Sequence, residues 1–238
     1  MGNTEDNVFF KRLAEFDSEI GTVFDVGAHV GNFSKLMANH LPSATYHLFE
    51  PRLAFDQDLK AKALANTVGF DHRIVEKAVG KQAGNLPFSV QGQGGVGSSL
   101  LIGSPAENER IVEVPVITLD DYVAENGIEK VDFLKMDIQG GELDALRGAR
   151  NVLKNVKFLF LETWLVSSYG QKTPHMFEIF DFLRRFGIFP MDFFGGHRNP
   201  IGILSHIDVV YYNTNRTKVP QHFYAKLVER MTTGQEPL

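Results

Sequence analysis

The 238-residue sequence contains no cysteine. Disulfides, thiolate nucleophiles and cysteine-based zinc sites are therefore excluded, and any nucleophilic or metal chemistry must use other ligands. An excess of basic residues is also missing, because 24 Lys and Arg stand against 29 Asp and Glu for a net charge of −5. A chain without an overall positive field is a poor match for a polyphosphate backbone, so we predict no nucleic-acid partner.

Long apolar runs are scarce as well. The most apolar window, residues 156–166, is interrupted by Lys157 and Glu162, whereas a membrane span needs about 20 apolar residues. The first residues are acidic where a signal peptide is basic, and no apolar segment follows them. These absences predict a soluble, cytoplasmic protein without a membrane span.

Short runs rich in Val, Ile and Phe alternate with segments of helical period. This alternation is typical of a sheet with helices on its faces, and a chain of this length is expected to fold as one domain. A helix is predicted over residues 53–64. A hairpin at the sheet edge is predicted from residues 188–194 and 207–212, joined through 195–205. The other main strands are predicted over residues 22–26, 44–49, 73–79, 111–117, 131–136 and 156–161.

A glycine-containing turn, residues 27–31, follows the first strand and leads into a helix. Such a turn lets a ligand approach the backbone, and the amides of the helix then face that ligand. Asp25 lies in the preceding strand. Glu50 ends the second strand, where an acid of a doubly wound sheet can accept both hydroxyls of a ribose. Together these features favour a nucleoside-containing ligand over a plain turn.

Two nucleotide-binding signatures are missing. Gly27 and Gly31 are separated by three residues with no third glycine in register for the dinucleotide pattern, and no P-loop ending in Gly-Lys-Ser/Thr is present. A cofactor with a ribose but no phosphate fits what remains, and S-adenosylmethionine is one such cofactor. A carboxylate at Asp25 would be favourable near the ammonium and sulfonium charges of that cofactor.

Several segments resemble the FkbM-type S-adenosylmethionine-dependent methyltransferases. They are residues 25–34, the triplet Phe49-Glu50-Pro51, residues 116–121 and, most specifically, residues 131–142 with 146–149. The resemblance implies an α/β, Rossmann-like class I methyltransferase fold, in which a mostly parallel seven-stranded sheet has an antiparallel last strand and helices on both faces. It also implies methylation of hydroxyls on saccharides or natural-product scaffolds. His29 departs from the family's common Asn, and Gln139 from its frequent Glu.

The domain predicted from this resemblance covers residues 22–213. An N-terminal helical extension is predicted over 1–21 and a C-terminal helical tail over 214–238. The predicted cofactor is S-adenosylmethionine. Its expected contacts are Asp25, Gly27, Ala28, His29, Gly31, Asn32, Phe33, Glu50, Pro51, Ala78 and Asp137.

Methyl transfer to an alcohol requires that donor and acceptor are aligned and that the hydroxyl proton is removed as the new bond forms. The catalytic candidates are Asp137, Glu162 and His197, and His206 flanks the same connection as His197. Asp137 follows a buried strand and is interpreted as base, cofactor contact or metal ligand, with a helix N-cap as the alternative. Glu162 is placed where the next strand leaves the core, because burial of a charge without a partner is costly.

Substrate contacts are expected from Ser98 and Ser99 in a glycine-rich loop, from Glu142, and from Trp164 as an apolar wall for a ring. No metal is predicted, because no fixed ligand spacing among the acidic candidates supports Mg²⁺. Lys135 is expected to pair with a nearby carboxylate.

Three classes of function remain open at this point. An O-methyltransferase acting on a saccharide or small metabolite is favoured by the resemblance. A nucleotide-binding oxidoreductase would use the same sheet and Glu50, and a cofactor-binding module would keep the pocket without the chemistry. The acceptor is expected to be a small molecule or saccharide, and the aromatic helix face over residues 176–186 is interpreted as core, with a homodimer interface as the alternative.

Overall fold

The computed structural model of the chain describes residues 4–17, 19–91, 97–100, 110–166 and 173–217. Short 3-10 turns lie at Pro51–Ala54 and Arg184–Phe186. The helices and strands, in chain order, are α1 Thr4–Phe16, β1 Thr22–Val26, α2 Asn32–Ala38, β2 Thr45–Phe49, α3 Gln57–Asn66, β3 His72–Val75, β4 Ala78–Val79, β5 Gly84–Val90, β6 Arg110–Ile117, α4 Leu119–Glu125, β7 Phe133–Met136, α5 Glu142–Arg147, α6 Arg150–Asn155, β8 Phe158–Trp164, α7 Met176–Leu183, β9 Ile188–Arg198 and β10 Leu204–Asn213.

A seven-stranded sheet with the order β3-β2-β1-β7-β8-β10-β9 forms the centre of the domain. The strands from β3 to β8 in this order are parallel, and β10 runs antiparallel to both β8 and β9. The predicted mostly parallel seven-stranded sheet with an antiparallel last strand is therefore confirmed, as is the hairpin at its edge. A second sheet, with the order β4-β6-β5, forms a small core of its own.

Helices cover both faces of the large sheet, because alternate residues of each strand point to opposite faces. Val23 and Phe133 belong to the core that contains α1 and α2, whereas Phe24 and Leu134 belong to the core that contains helices α4 to α7. Period two then places Asp25 and Lys135 on the α2 face, where β1 and β7 pair them directly opposite each other. Two charged residues are thus built into the middle of the sheet.

The predicted strand over residues 73–79 is wrong as a single strand. Its first part is β3 of the large sheet, and its last part is β4, which pairs with β6 of the small sheet. The two parts are separated by Glu76 and Lys77, charged residues that belong to neither strand. Glu76 forms an ion pair with Lys60 on α3, and the chain leaves the large sheet at this point.

Two further boundaries differ from the prediction because side chains cap the backbone. The predicted helix over residues 53–64 begins at Gln57, since the Asp56 carboxylate accepts the Leu59 N–H at 3.0 Å and caps the helix there. The connection of the last hairpin shrinks from 195–205 to 199–203. Asn199 Oδ1 accepts the Ile201 N–H at 3.2 Å and the Ile203 N–H at 3.0 Å, which closes a tight turn.

The N-terminal helix α1 packs against the large sheet. Phe10 and Leu13 of α1 are buried in the core on the α2 face, so this helix packs against the sheet. Most of the predicted C-terminal helical tail, residues 218–238, lies outside the described residues. In the described part of the chain, no helix is long and apolar enough to cross a membrane.

Asp132 connects the first residues of β1 and β7 through hydrogen bonds. Its side chain is 1% exposed, and Oδ2 accepts the N–H groups of Gly21 at 2.9 Å and Thr22 at 3.2 Å. Lys130 Nζ and Lys157 Nζ lie 3.3 and 3.8 Å from Oδ1. The carboxylate therefore links the beginning of β1 to the beginning of β7.

We expect Asp132→Ala to lower the free energy of unfolding by about 2–4 kcal/mol, because hydrogen bonds to a charged group contribute about 1.5–3 kcal/mol. Urea unfolding followed by circular dichroism measures this loss. Asp58→Ala is the matched control, since Asp58 is an exposed acid and such surface changes cost about 0.5 kcal/mol or less. Equal losses in the two variants would contradict the role of Asp132.

Candidate active site

A cavity of about 690 Å³ lies at the carboxyl ends of β1, β2 and β7, with β8 and the amino end of β10 beside them. This is the edge where doubly wound sheets bind ligands. The small sheet contributes one wall through Val79 and Phe88. Twelve of the predicted site residues line this one cavity, namely Gly27, Ala28, His29, Asn32, Phe33, Glu50, Pro51, Ala78, Ser98, Asp137, Glu162 and Trp164.

Asp25 and Gly31 were expected to contact the cofactor, but neither lines the cavity. Asp25 is fully buried, where its carboxylate accepts the Ser34 hydroxyl at 2.7 Å and pairs with Lys135 Nζ at 3.2 Å. Gly31 has a φ of +77°, and a Cβ there would lie 3.0 Å from Leu48 Cδ2, inside the protein. Both residues support the turn after β1 from the protein interior and not from the cavity wall.

Ser99 and Glu142 were expected to contact substrate, and both instead hold the loop after β7. Ser99 is 1% exposed and donates its hydroxyl to the Gln139 carbonyl at 2.8 Å. Glu142 is fully buried, and its Oε1 accepts the N–H groups of Ile138 at 2.9 Å and Gly140 at 3.2 Å. Burial raises the pKa of Glu142 to about 7.

His197 was predicted to be catalytic, but its side chain lies outside the cavity on the exposed edge strand β9. The histidine that lines the cavity is His206, on β10, and the two rings stack with their centroids 5.0 Å apart. The pattern of the sequence located the correct hairpin. It could not decide which of the two strands turns its imidazole inward.

Gly27 follows β1 and contacts the carboxyl ends of β2 and β7. Its φ is +78°, and a Cβ there would lie 1.9 Å from the Asp137 carbonyl oxygen, so only glycine allows the loop after β7 to approach. The N–H groups of Gly27 and Ala28 donate to the Phe49 carbonyl at 2.9 and 3.1 Å. The turn after β1 is thereby fixed to the ends of both β2 and β7.

Glu50 is held at the cavity wall by backbone hydrogen bonds. Its two carboxylate oxygens accept the His29 N–H at 3.0 Å and the Arg52 N–H at 3.1 Å. Burial raises the pKa of Glu50, while these two hydrogen bonds oppose the shift. Each oxygen retains a further lone pair with which to accept a hydrogen bond from a ligand.

Lys135 is the cation beneath the cavity, and its Nζ donates to the Gly27 carbonyl at 2.9 Å. The same nitrogen lies 3.2 Å from Asp25 Oδ1, 3.9 Å from Asp137 Oδ2 and 5.7 Å from the centre of the Phe33 ring. Although burial opposes its charge, Asp25 and Asp137 hold the pKa of Lys135 above its ordinary value. The ion pair expected for Lys135 is therefore present. The sequence indicated it, because a lysine within an apolar strand needs a partner of opposite charge.

Gln139 connects the two acidic candidates of the cavity. Its Nε2 donates to Asp137 Oδ1 at 2.7 Å and to Glu162 Oε2 at 3.0 Å. The side chain of Asp137 is 42% exposed. The N-cap alternative for Asp137 is wrong, because helix α5 begins at Glu142 with Gly141 as its N-cap and no side-chain cap.

Glu162 lies inside β8, opposite Asp208 of β10, rather than where the strand leaves the core. Burial, together with the charges of Asp137, Glu142 and Asp208, raises the pKa of Glu162 far above its ordinary value. Within the described residues, no group of three or more histidine or acidic side chains is arranged to hold a metal ion. The raised pKa keeps Glu162 protonated near neutral pH, so Asp137 and Asp208 supply the negative charge at the acidic end of the cavity.

Residues 25–188 match a known protein family. The model of the FkbM methyltransferase domain matches residues 25–188. The chain is 26% identical over 154 residues to the 2-O-methyltransferase NoeI of Sinorhizobium fredii, with 59% of this chain and 62% of that protein covered. The match therefore spans less than two thirds of that relative's length.

A second relative agrees with this family, and a solved structure shares the fold. The chain is 26% identical over 156 residues to the 31-O-demethyl-FK506 methyltransferase FkbM of Streptomyces tacrolimicus, with 54% of this chain and 59% of that protein covered. The magnesium protoporphyrin IX methyltransferase ChlM from Synechocystis PCC 6803, solved with bound SAM, has a TM-score of 0.51 at 12% identity, covering 88% of this chain and 78% of that one. The likeness to this structure shows the shared fold.

The resemblance noted in the sequence is thus confirmed over most of the domain, with the expected sheet and with the cavity at the expected edge. The chain belongs to the FkbM methyltransferase family.

Proposed function

We propose that this chain transfers a methyl group from S-adenosylmethionine to a hydroxyl of a saccharide or small metabolite. The observation that carries the proposal is the arrangement of charge in the cavity, with a fixed carboxylate at Glu50 and the carboxylates of Asp137 and Asp208 at the opposite end. Membership of the family supports the cofactor. The names of NoeI and FkbM support an oxygen as the acceptor atom.

The residues of the cavity fit the cofactor. The free lone pairs of Glu50 are suited to the two ribose hydroxyls, and neighbouring apolar surface from Phe49 and Ala78 is suited to a base. Asp137 faces the cavity from the turn that Gly27 and Lys135 hold in place. It is suited to the cationic end of the cofactor, since opposite charges within a partly buried site attract.

Bound S-adenosylmethionine supplies a methyl group that is already activated. What remains for the protein is to align the acceptor, exclude water and accept a proton. Phe33, Phe160 and Trp164 give the cavity apolar walls beside its acidic end, and Ser98 adds a hydroxyl. A ring that carries hydroxyl groups is matched by such a mixture of apolar and polar surface.

Other properties of the chain remain predictions from the sequence. These are the absence of a nucleic-acid partner, a homodimer and a cytoplasmic location. No observation on the cavity favours the alternative oxidoreductase. A cofactor-binding module without catalysis is distinguished from an enzyme by turnover, for which the screen is methyl transfer from labelled S-adenosylmethionine to saccharides and hydroxylated metabolites.

Glu50→Ala tests the ribose contact. We expect it to weaken S-adenosylmethionine binding by roughly 1.5–3 kcal/mol, the contribution of hydrogen bonds to a charged group. Calorimetric titration measures the affinity, and thermal melting verifies that the variant is folded. Glu76→Ala is the control, because Glu76 is absent from the cavity lining. Unchanged affinity in Glu50→Ala would exclude the assignment.

Asp137→Asn tests the charge at the opposite end. The substitution keeps the shape of the side chain, so we expect it to weaken binding of S-adenosylmethionine by about 1 kcal/mol more than binding of S-adenosylhomocysteine, which lacks the sulfonium charge. Calorimetry with both ligands gives this difference. Asp144→Asn, at a half-exposed acid outside the cavity, should leave it unchanged. Equal losses of affinity for the two ligands would contradict the placement of Asp137 beside the sulfonium.

A further inference from the structure

We propose that His206 is the catalytic base, and that its Nε2 accepts the proton of the acceptor hydroxyl. This inference rests on the proposed methyl transfer, and it replaces the base predicted at His197. It is carried by the position of the ring in the cavity, by the hydrogen bond that fixes its tautomer, and by the carboxyl groups around it.

The ring of His206 is held between two aromatic neighbours at the acidic end of the cavity. β10 pairs His206 with Trp164 of β8 on one side and with His197 of β9 on the other. The ring centroid of His206 lies 4.6 Å from that of Trp164 and 5.0 Å from that of His197. Its side chain is 25% exposed, so the imidazole is oriented by packing and is still open to a ligand and to water.

The tautomer of His206 follows from a chain of hydrogen bonds. Ser205 Oγ donates its only proton to the His197 carbonyl at 2.9 Å. With that proton on the carbonyl, the 3.2 Å contact between Ser205 Oγ and His206 Nδ1 is a hydrogen bond only when Nδ1 carries the proton of the ring. Neutral imidazole carries one proton, so Nε2 has the lone pair.

The lone pair of Nε2 is directed toward the acidic end. Nε2 lies 3.6 Å from Glu162 Oε1, which is longer than a hydrogen bond. The other oxygen of Glu162 accepts from Gln139. An acceptor hydroxyl bound in the cavity can approach Nε2 beside Glu162 Oε1.

The titratable groups around His206 support its use as a base. They come from each neighbouring element, with Glu162 on β8, Asp208 on β10, Asp137 after β7 and His197 on β9. Burial and His197 lower the pKa of His206, while Asp137 opposes the shift. The ring is therefore neutral near neutral pH, and the imidazolium that it becomes is stabilised by the nearby carboxylate of Asp137.

The proton transfer balances without a further reactant. As the acceptor oxygen bonds to the methyl carbon, the carbon–sulfur bond breaks and its electron pair stays on sulfur, which becomes a neutral thioether. The hydroxyl proton moves to Nε2 and gives an imidazolium. Water at the exposed side of the ring takes that proton after the product leaves.

The chain contains one tryptophan, and its contact with His206 provides a direct probe. Because a protonated imidazole quenches an adjacent indole more than a neutral one, the fluorescence of Trp164 should titrate with His206. We expect a midpoint below about 6.5, the ordinary value for histidine. The transition should disappear in His206→Gln. In His197→Asn the midpoint should rise, since a neighbour that lowers the pKa has been removed.

Titration with cofactor separates this inference from the proposed function. Saturating S-adenosylmethionine should lower the midpoint further, and by more than S-adenosylhomocysteine does, because a nearby sulfonium charge repels the imidazolium. Failure of S-adenosylmethionine to bind in calorimetry would overturn the proposed function. If both ligands bind but give equal midpoints, the role of His206 as the base is overturned and the proposed function is not. The same holds if the transition survives in His206→Gln, or if its midpoint lies above about 8.

Turnover supplies the second measurement. With an acceptor from the labelled-cofactor screen, His206→Gln should lower kcat by about 10²- to 10⁴-fold, the usual effect of losing a general base, and should leave cofactor affinity within twofold. His40→Gln, at a histidine outside the cavity lining, should retain kcat within a fewfold. A wild-type kcat in His206→Gln would reject the role of His206.

Discussion

The ion pair between Lys135 and Asp25 is the contact on which the candidate site depends. The two residues lie opposite each other on the central strands β1 and β7, where burial of either charge alone would be costly. Ser34 donates to Asp25, and Lys135 donates to the Gly27 carbonyl. The ion pair is therefore tied to the turn after β1, and this turn is in contact with the Asp137 carbonyl.

The same face of the sheet carries the rest of the site, because the strand period is two. Glu162 follows Phe160 by two residues on β8, and β10 places Asp208 opposite Glu162. The face is apolar toward the amino ends of the strands and acidic toward their carboxyl ends. Lys135 is paired with Asp25, so the carboxylates of Asp137 and Asp208 at the cavity wall favour a cationic ligand, which is the basis of the proposed cofactor.

Most of the strands and the position of Glu50 were predicted correctly, because they depend on local sequence. Most of the strands follow from apolar runs. Glu50 was placed at the end of β2, where the structure has it. Such features need only a few neighbouring residues, which the sequence contains in order.

Features that depend on pairing between distant segments were not predictable. The choice between His197 and His206 depends on the hairpin register, which shifts on both sides of His206. Glu142 turns back to accept two amides of its own loop, and a single sequence does not reveal which way a carboxylate turns. Asp25 was assigned to the cofactor because its partner, 110 residues away along the chain, was unknown.

The most direct test of this account is to replace the buried ion pair without leaving a charge behind. In the double variant Asp25→Asn with Lys135→Met, the free energy of unfolding should stay close to that of the wild type. Replacing both members of a buried ion pair is often neutral. Calorimetric affinity for S-adenosylmethionine should nevertheless fall by about tenfold or more, since the Gly27 carbonyl loses its donor, about 1.4 kcal/mol. A stable double variant with wild-type affinity would contradict the account.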